Sequence, residues 1–230
     1  MLLHVPSVLP QAQIAQIRTQ LANADWVDGR ETVGILGAQA KRNLQLAEGS
    51  SLRLQLGRII LDAVSASPLF FAAVLPHRTL PPRFNCYRAG GEYGFHVDGA
   101  IMSLPVPQDS PPVNLRSDVS CTLFLSDPSE YDGGELTIED SFGEHTVKLP
   151  AGDMIVYPSS SLHCVTPVSR GARVAAFFWV QSLVRNPQHR ALLFEMDQVI
   201  QSLRQEHPPH PAALRLTHVY HNLLRDWSDT

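Results

Sequence analysis

The sequence predicts a mostly β core flanked by helices, an α+β protein. Three observations carry this. From Pro82 to Val184 the chain breaks into short runs of strand-forming residues punctuated by Gly and Pro. On either side of that stretch, apolar residues recur at helical spacing. And 230 residues that are 44% hydrophobic and 17% charged are enough to bury one proper core.

The elements follow in order. Pro10 opens a helix in which Ile14, Ile17 and Leu21 share a face. Ser50 or Ser51 caps a second helix carrying Leu52, Leu56, Ile59, Ile60 and Ala63 on one face. Pro68 introduces an apolar run, Leu69–Leu75, that reads as a strand. Eight strands are then expected: Arg83–Arg88, Tyr93–Asp98, Asp118–Ser126, Glu135–Glu139, His145–Leu149, Asp153–Tyr157, Leu162–Val168 and Arg173–Val184. Turn chemistry separates them at Asp132-Gly133-Gly134, Pro150-Ala151-Gly152 and Ser169-Arg170-Gly171. Short antiparallel strands of this kind admit a sandwich, a jelly roll or a barrel.

One break differs. Ile101–Ser117 holds Pro105, Pro107, Pro111 and Pro112 and no strand periodicity, and it leaves the chain just after Gly99. Because it leaves the strand that carries His96 and Asp98, it is read as a semi-rigid lid or substrate-selecting wall. Beyond Val184 a helix is expected from Pro187 to about Leu203, then a break at His207-Pro208-Pro209-His210-Pro211, then a helix from about Ala212 to Trp227. The chain thus divides into an N-terminal helix/strand segment packing on the core (1–78), the β core (79–184) and a helical extension (185–230). The first extension helix has more apolar positions than a surface helix needs, so it is expected to pack on the core or form a homodimer contact.

Charge and cysteine content narrow the function classes. The net charge is −4 and no basic stripe is present, so a nucleic-acid partner is not expected. The apolar runs are too short for a membrane span. Met1–Pro10 lacks a basic n-region and a cleavage site, so no signal peptide is read and a cytoplasmic location is expected. Cys86, Cys121 and Cys164 are odd in number and form no C-x-x-C pair, which fits reduced, buried thiols.

The chemistry concentrates in the core. On a strand through Tyr93–Asp98, residues two apart share a face, so His96 and Asp98 project side by side. They supply two of the three ligands of a 2-His-1-carboxylate metal site. The spacing H-x-D is by itself a weak signal. His163, on a distant strand, is the candidate third ligand. Arg173 follows on what reads as the neighbouring strand of the same hairpin, with Ala175, Phe177 and Trp179 alternating behind it. A buried arginine needs a carboxylate, no acid of that hairpin supplies one, and a ligand carboxylate would. Trp179 and Phe95 read as core residues. His218 and His221 read as solvent-facing, and Glu92 and Asp118 as rim charges with no special claim.

Two stretches together are specific: Asn85-x-Tyr87-x-x-Gly90-Gly91-x-Tyr93-x-x-His96-x-Asp98, and His163-x-Val165-x-Pro167-Val168-x-x-Gly171-x-Arg173 running on to Phe178-Trp179. They resemble the Fe(II)/2-oxoglutarate-dependent dioxygenases of the prolyl-4-hydroxylase-like branch. With Lys41-x-Asn43-Leu44-Gln45 and the helical extension, nearly the whole chain is similar to the bacterial PKHD-type hydroxylases, often associated with iron uptake. The resemblance implies a double-stranded β-helix (jelly-roll) core. It implies His96, Asp98 and His163 as iron ligands, Arg173 as partner of the 2-oxoglutarate C5 carboxylate and Tyr87 as a further contact to it. It also implies O₂ as cosubstrate, ascorbate as reductant, succinate and CO₂ as products, and hydroxylation of an organic substrate. That substrate is expected to be a small molecule, such as a siderophore, or a peptide; the resemblance to prolyl hydroxylases does not make it proline.

Overall fold

The computed structural model describes residues 1–32, 40–106, 111–206 and 210–229. Their strands are β1 (Leu3–Val5), β2 (Trp26–Asp28), β3 (Lys41–Arg42), β4 (Leu44–Leu46), β5 (Pro76–Thr79), β6 (Arg83–Tyr87), β7 (Glu92–His96), β8 (Ile101–Leu104), β9 (Val113–Arg116), β10 (Val119–Phe124), β11 (Tyr131–Gly133), β12 (Leu136–Asp140), β13 (Gly143–Val147), β14 (Met154–Pro158), β15 (Leu162–Val165), β16 (Val168–Gly171) and β17 (Arg173–Ser182). Eight make one large sheet in the order β1-β14-β10-β17-β6-β4-β2, with β5 also on β17. Five make a smaller sheet, β13-β12-β15-β7-β3. All eight strands expected in the core are present within a few residues, and their pairings are antiparallel.

Alternation along the strands sorts two cores. On β17, Val174, Ala176, Phe178 and Val180 face the helices, as do Cys121 and Leu123 of β10 and Met154 and Val156 of β14. Ile14, Ile17 and Leu21 of the helix Gln11–Ala22 close that layer with Leu56, Ile60 and Val64 of the helix Ser51–Ser65. Each such buried side chain contributes about 1.5–3 kcal/mol of transfer free energy. The opposite faces meet the smaller sheet, where Phe124, Tyr131, Leu136, Ile138, Ile155 and Val165 form a second cluster. Ser50 caps the helix Ser51–Ser65 by accepting from the Arg53 amide at 3.3 Å. The extension folds as helices Pro187–Glu206 and Pro211–Trp227, which pack with Leu75 and Val184 through Leu193, Ile200 and Tyr220. The expected break at 207–211 lies mostly outside the described residues. Among the described residues no single helix is long and apolar enough to cross a membrane.

Three expectations are corrected. The run Leu69–Leu75 is not a strand: Pro68–Val74 is helical. Ser67 accepts from the Phe70 amide at 3.3 Å, Pro68 occupies the first turn, and Leu75 closes the helix with φ 48°. Period alone does not separate a short apolar strand from a short buried helix, and here the cap decides. Ile101–Ser117 is not without strands: β8 and β9 pair from Ile101↔Arg116 to Leu104↔Val113. Pro105, Pro111 and Pro112 fall between the strands, and residues 107–110 lie outside the described ones. Leu115 is fully buried with Leu80 and Trp179, and Met102 and Leu104 pack on that cluster. Finally, Ser169-Arg170-Gly171 is part of β16, paired with β11, rather than a turn.

The cap at Ser67 gives a direct test. Ser67→Ala removes one acceptor from the first turn and should lower unfolding free energy by about 1 kcal/mol in urea titration. An unchanged midpoint and slope would contradict the helical assignment.

Candidate active site

His96 and His163 face each other. Strands β7 and β15 are antiparallel neighbours with His96 directly opposite His163, and the two rings lie 4.2 Å apart, centroid to centroid. Asp98 follows two residues after His96, just past the end of β7, and its Oδ2 is 3.8 Å from His163 Nε2. The ligand atoms of His96, Asp98 and His163 all lie within 4.8 Å of one another, a spread one metal ion can span.

The histidine tautomers are set by the backbone. His96 Nδ1 lies 2.9 Å from the Gly94 carbonyl and His163 Nδ1 lies 3.0 Å from the Ser161 carbonyl. A carbonyl only accepts, so both Nδ1 atoms carry the proton and both Nε2 lone pairs are left for a metal. Burial, then the neighbouring His163, pushes the His96 pKa down to about 4. At neutral pH that imidazole is therefore neutral, with Nε2 free of a proton, and a cation binding there displaces none. Tyr93 stacks on His96 at 3.6 Å and 18°, and Tyr157 meets His163 edge-on at 5.2 Å, so each ring is held on its flank.

Asp98 is oriented by residues that motif reading did not find. Ser120 Oγ donates to Asp98 Oδ2 at 2.6 Å, and Ser159 Oγ lies 2.8 Å from Ser120 Oγ. The Ser120 proton goes to the carboxylate, so Ser159 donates to Ser120. Both serines are 2% exposed. Nothing in the spacing of Ser120 or Ser159 distinguishes them from other strand serines; the only trace is two polar residues, Ser120 and Thr122, alternating on the inward face of an otherwise apolar β10.

Arg173 lies across the cavity from the triad, and not in a hairpin with His163. β15 belongs to the smaller sheet and β17 to the larger, with β16 between them in sequence but paired elsewhere. Both side chains nevertheless line the same cavity of about 760 Å³ between the sheets. Arg173 is 1% exposed, and its Nε and Nη1 have no hydrogen-bond partner. Its guanidinium lies 5.4 Å from the Tyr87 ring and 5.2 Å from the Phe124 ring. Tyr87 is opposite Arg173 in the β6–β17 register, and burial raises its phenol pKa to about 12. Gly134 lets this corner close: it has φ +67°, and a Cβ there would come within 3.2 Å of Arg173 Cδ and 2.8 Å of Val168 Cγ2. The sequence marks Gly134 as a turn residue, and its positive φ is the firmest demand, with Val168 the nearest neighbour and Arg173 further off.

The other candidates fall into place. Trp179 is 7% exposed and also walls the cavity; Phe95 borders it too but is 47% exposed and is not core. Arg170, close to Arg173 in sequence, is exposed and bonded to Asp132 at 2.6 Å. Glu92 bonds Arg42, and Asp118 bonds Arg116 at 2.7 Å and the Ser182 amide at 2.9 Å, so both are structural. His218 and His221 are exposed on the last helix.

Residues 82–181 match the 2OG-Fe(II) oxygenase superfamily, and residues 188–229 match the PKHD-type hydroxylase C-terminal domain. A PKHD-type hydroxylase of Xylella fastidiosa (strain 9a5c) is 62% identical over 230 residues, 100% of both chains. The chain belongs to the PKHD-type hydroxylases. A second PKHD-type hydroxylase, from Stenotrophomonas maltophilia (strain K279a), is 63% identical over 229 residues, 100% of both chains. The fold of this PKHD-type hydroxylase is also that of a Pseudomonas putida prolyl-4-hydroxylase (TM-score 0.51, 20% identity, 79% of this chain and 92% of that one). A Trichoplax adhaerens prolyl hydroxylase in complex with a hypoxia inducible factor peptide fragment is similar in the same way (TM-score 0.55, 14% identity, 83% and 86%). The core is therefore the jelly roll of the 2-oxoglutarate oxygenases, and the PKHD-type hydroxylase is a 2-oxoglutarate-dependent hydroxylase.

Ser120→Ala frees the Asp98 carboxylate to rotate without disturbing the histidines. Its affinity for Co(II) should fall about tenfold or more, as outer-shell losses do at other metal sites. Ser120→Thr, which keeps the hydroxyl, should recover most of it. Wild-type affinity in Ser120→Ala would show that Asp98 is held by other means.

Proposed function

We propose that this enzyme binds one Fe(II) through His96 Nε2, His163 Nε2 and a carboxylate oxygen of Asp98, and binds 2-oxoglutarate with its C5 carboxylate on Arg173. The observation that carries this reading is a fully buried guanidinium whose Nε and Nη1 lack acceptors, in the same cavity as three convergent metal-ligand side chains. A planar fork of buried N–H donors matches a carboxylate, and leaving it unmatched is costly. Tyr87 is assigned to the same carboxylate pocket, where its ring already flanks the guanidinium.

When bound, iron with 2-oxoglutarate and O₂ supplies the oxidising power to hydroxylate a C–H bond, releasing succinate and CO₂. The protein's part is positional. The backbone-bonded Nδ1 protons hold both imidazoles as neutral donors, and the Ser159–Ser120 relay holds Asp98. Arg173 fixes the far end of the co-substrate, so its oxo-acid end is directed at the triad. Trp179, Phe177 and the β8–β9 hairpin, through Met102, wall the cavity and limit water. The hairpin is accordingly assigned as the substrate-facing wall, and ascorbate as the reductant that keeps the iron ferrous.

The substrate is assigned as a small molecule or a peptide side chain. The cavity volume of about 760 Å³ falls in the range of small-ligand sites. Folds of this kind accept both: one similar structure holds a hypoxia inducible factor peptide fragment and another, HygX from Streptomyces hygroscopicus, holds hygromycin B. A siderophore or one of its precursors, and with it a place in iron uptake, fits this reading.

Ala at His96, Asp98 or His163 should abolish succinate formation and remove tight Co(II) binding. Near wild-type succinate release in any one of them would strike that residue from the site. Arg173→Ala should raise the 2-oxoglutarate KM by roughly a hundredfold or more, the scale of losing one partner of a buried charge pair. Arg173→Lys should restore only part of it, because an ammonium lacks the planar fork. An unchanged KM would move the co-substrate elsewhere.

A further inference from the structure

Among the described residues lining the cavity, three side chains are cationic, Lys41, Arg83 and Arg173, and one is a carboxylate, Asp98. With Arg173 given to the co-substrate, Lys41 and Arg83 remain. They lie on a side wall formed by β3 of the smaller sheet and β4 and β6 of the larger. The inward positions of β6 are Arg83, Asn85 and Tyr87, which pair with Phe177, Ala175 and Arg173 of β17. Tyr87 therefore belongs to the co-substrate end, Asn85 stands one step nearer the mouth, and Arg83 one step further. Gln45 of β4 is opposite Asn85 and lines the same wall.

This wall is polar in a way the fold does not require. Asn85 is 7% exposed, and its Oδ1 has no hydrogen-bond partner. Lys41 is 3% exposed, with its Nζ 5.2 Å from the Tyr93 ring centroid, and burial followed by the charge of Arg83 lowers its pKa to about 8. Arg83 is braced by Glu48 at 2.7 Å and lies 5.5 Å from the Trp179 ring, so its charge is held at the mouth. The buried Asn85 oxygen gains from a donor on a ligand, and positive charge in a low-dielectric cleft concentrates anions. Facing them, Trp179 and Met102 are apolar.

We propose that this side wall selects the substrate, and that the substrate carries a carboxylate held by Lys41 and Arg83, next to a hydrogen-bonding group met by Asn85 and Gln45. Its apolar part packs against Trp179 and Met102. The proposal rests on the assignment of Arg173 and the triad to co-substrate and metal.

The test is a set of matched probes on Zn(II)-loaded protein saturated with 2-oxoglutarate, which does not turn over. N-acetyl amino acids with aromatic and aliphatic side chains are titrated beside their carboxamides. At least one acid should bind about tenfold or more tighter than its amide, the scale of a hydrogen bond to a charged group. Lys41→Met should erase that preference while leaving 2-oxoglutarate affinity within about twofold. Arg83→Gln, at a partly exposed position, should weaken the preference. Equal binding of every acid and its amide, or no acid binding at all, would overturn the proposal. So would a tenfold loss of 2-oxoglutarate affinity in Lys41→Met, which would assign that lysine to the co-substrate. Failure of the wild type to bind 2-oxoglutarate, read separately before the probes are added, would instead overturn the underlying assignment.

Discussion

A guanidinium buried to 1% exposure, with two of its nitrogens lacking an acceptor, is the constraint around which this cavity is organised. The desolvation of such a cation is costly unless acceptors complete it, as the Val184 and Arg185 carbonyls do for the buried Arg190. Aromatic faces of Tyr87 and Phe124 soften the environment without neutralising it. Gly134 suits this corner because its φ of +67° strains any side chain and a Cβ would crowd Val168 and the stem of Arg173. The proposed completing partner is a dicarboxylic oxo acid, whose other end would reach His96, Asp98 and His163 in the same cavity.

The second requirement is that two sheets deliver their chemistry to one space. Antiparallel register places His96 opposite His163 in the smaller sheet, while β17 and β6 place Arg173 beside Tyr87 in the larger. Period-two alternation makes one face of each strand apolar toward the helices and leaves the other for the site. The site is therefore a by-product of core packing on β10, β14 and β17. The same strands bury Leu123, Met154 and Phe178 on one side and present Ser120, Tyr157 and Phe177 on the other.

Much of this was legible in the chain because the relevant signals are local. His96 and Asp98 are two residues apart, and Arg173 begins a long alternating strand, so their faces follow from spacing alone. The relation of His163 to Arg173 is not legible this way, since sequence proximity suggests one hairpin where β16 pairs instead with β11. Strands of two to four residues, such as β2, β3 and β4, carry too few positions to show a period. The Pro68–Val74 helix and the β8–β9 hairpin were hidden for opposite reasons, an apolar run with no phase and prolines that masked the flanking alternation. Ser120, Ser159, Lys41 and Asn85 acquire meaning only from long-range contacts, which no single-residue pattern encodes.

The central claim is that Arg173 exists to receive the distal carboxylate of the co-substrate. It is tested most directly by a cycle that removes each partner in turn. The affinities of 2-oxoglutarate and 2-oxopentanoate, which keeps the oxo-acid end and carbon chain but lacks the second carboxylate, are measured by titration on Zn(II)-loaded wild type and Arg173→Ala. The account predicts that the wild type prefers 2-oxoglutarate by roughly a hundredfold and that the preference vanishes in the variant. A preference that survives intact in Arg173→Ala would mean that the buried guanidinium serves some other partner.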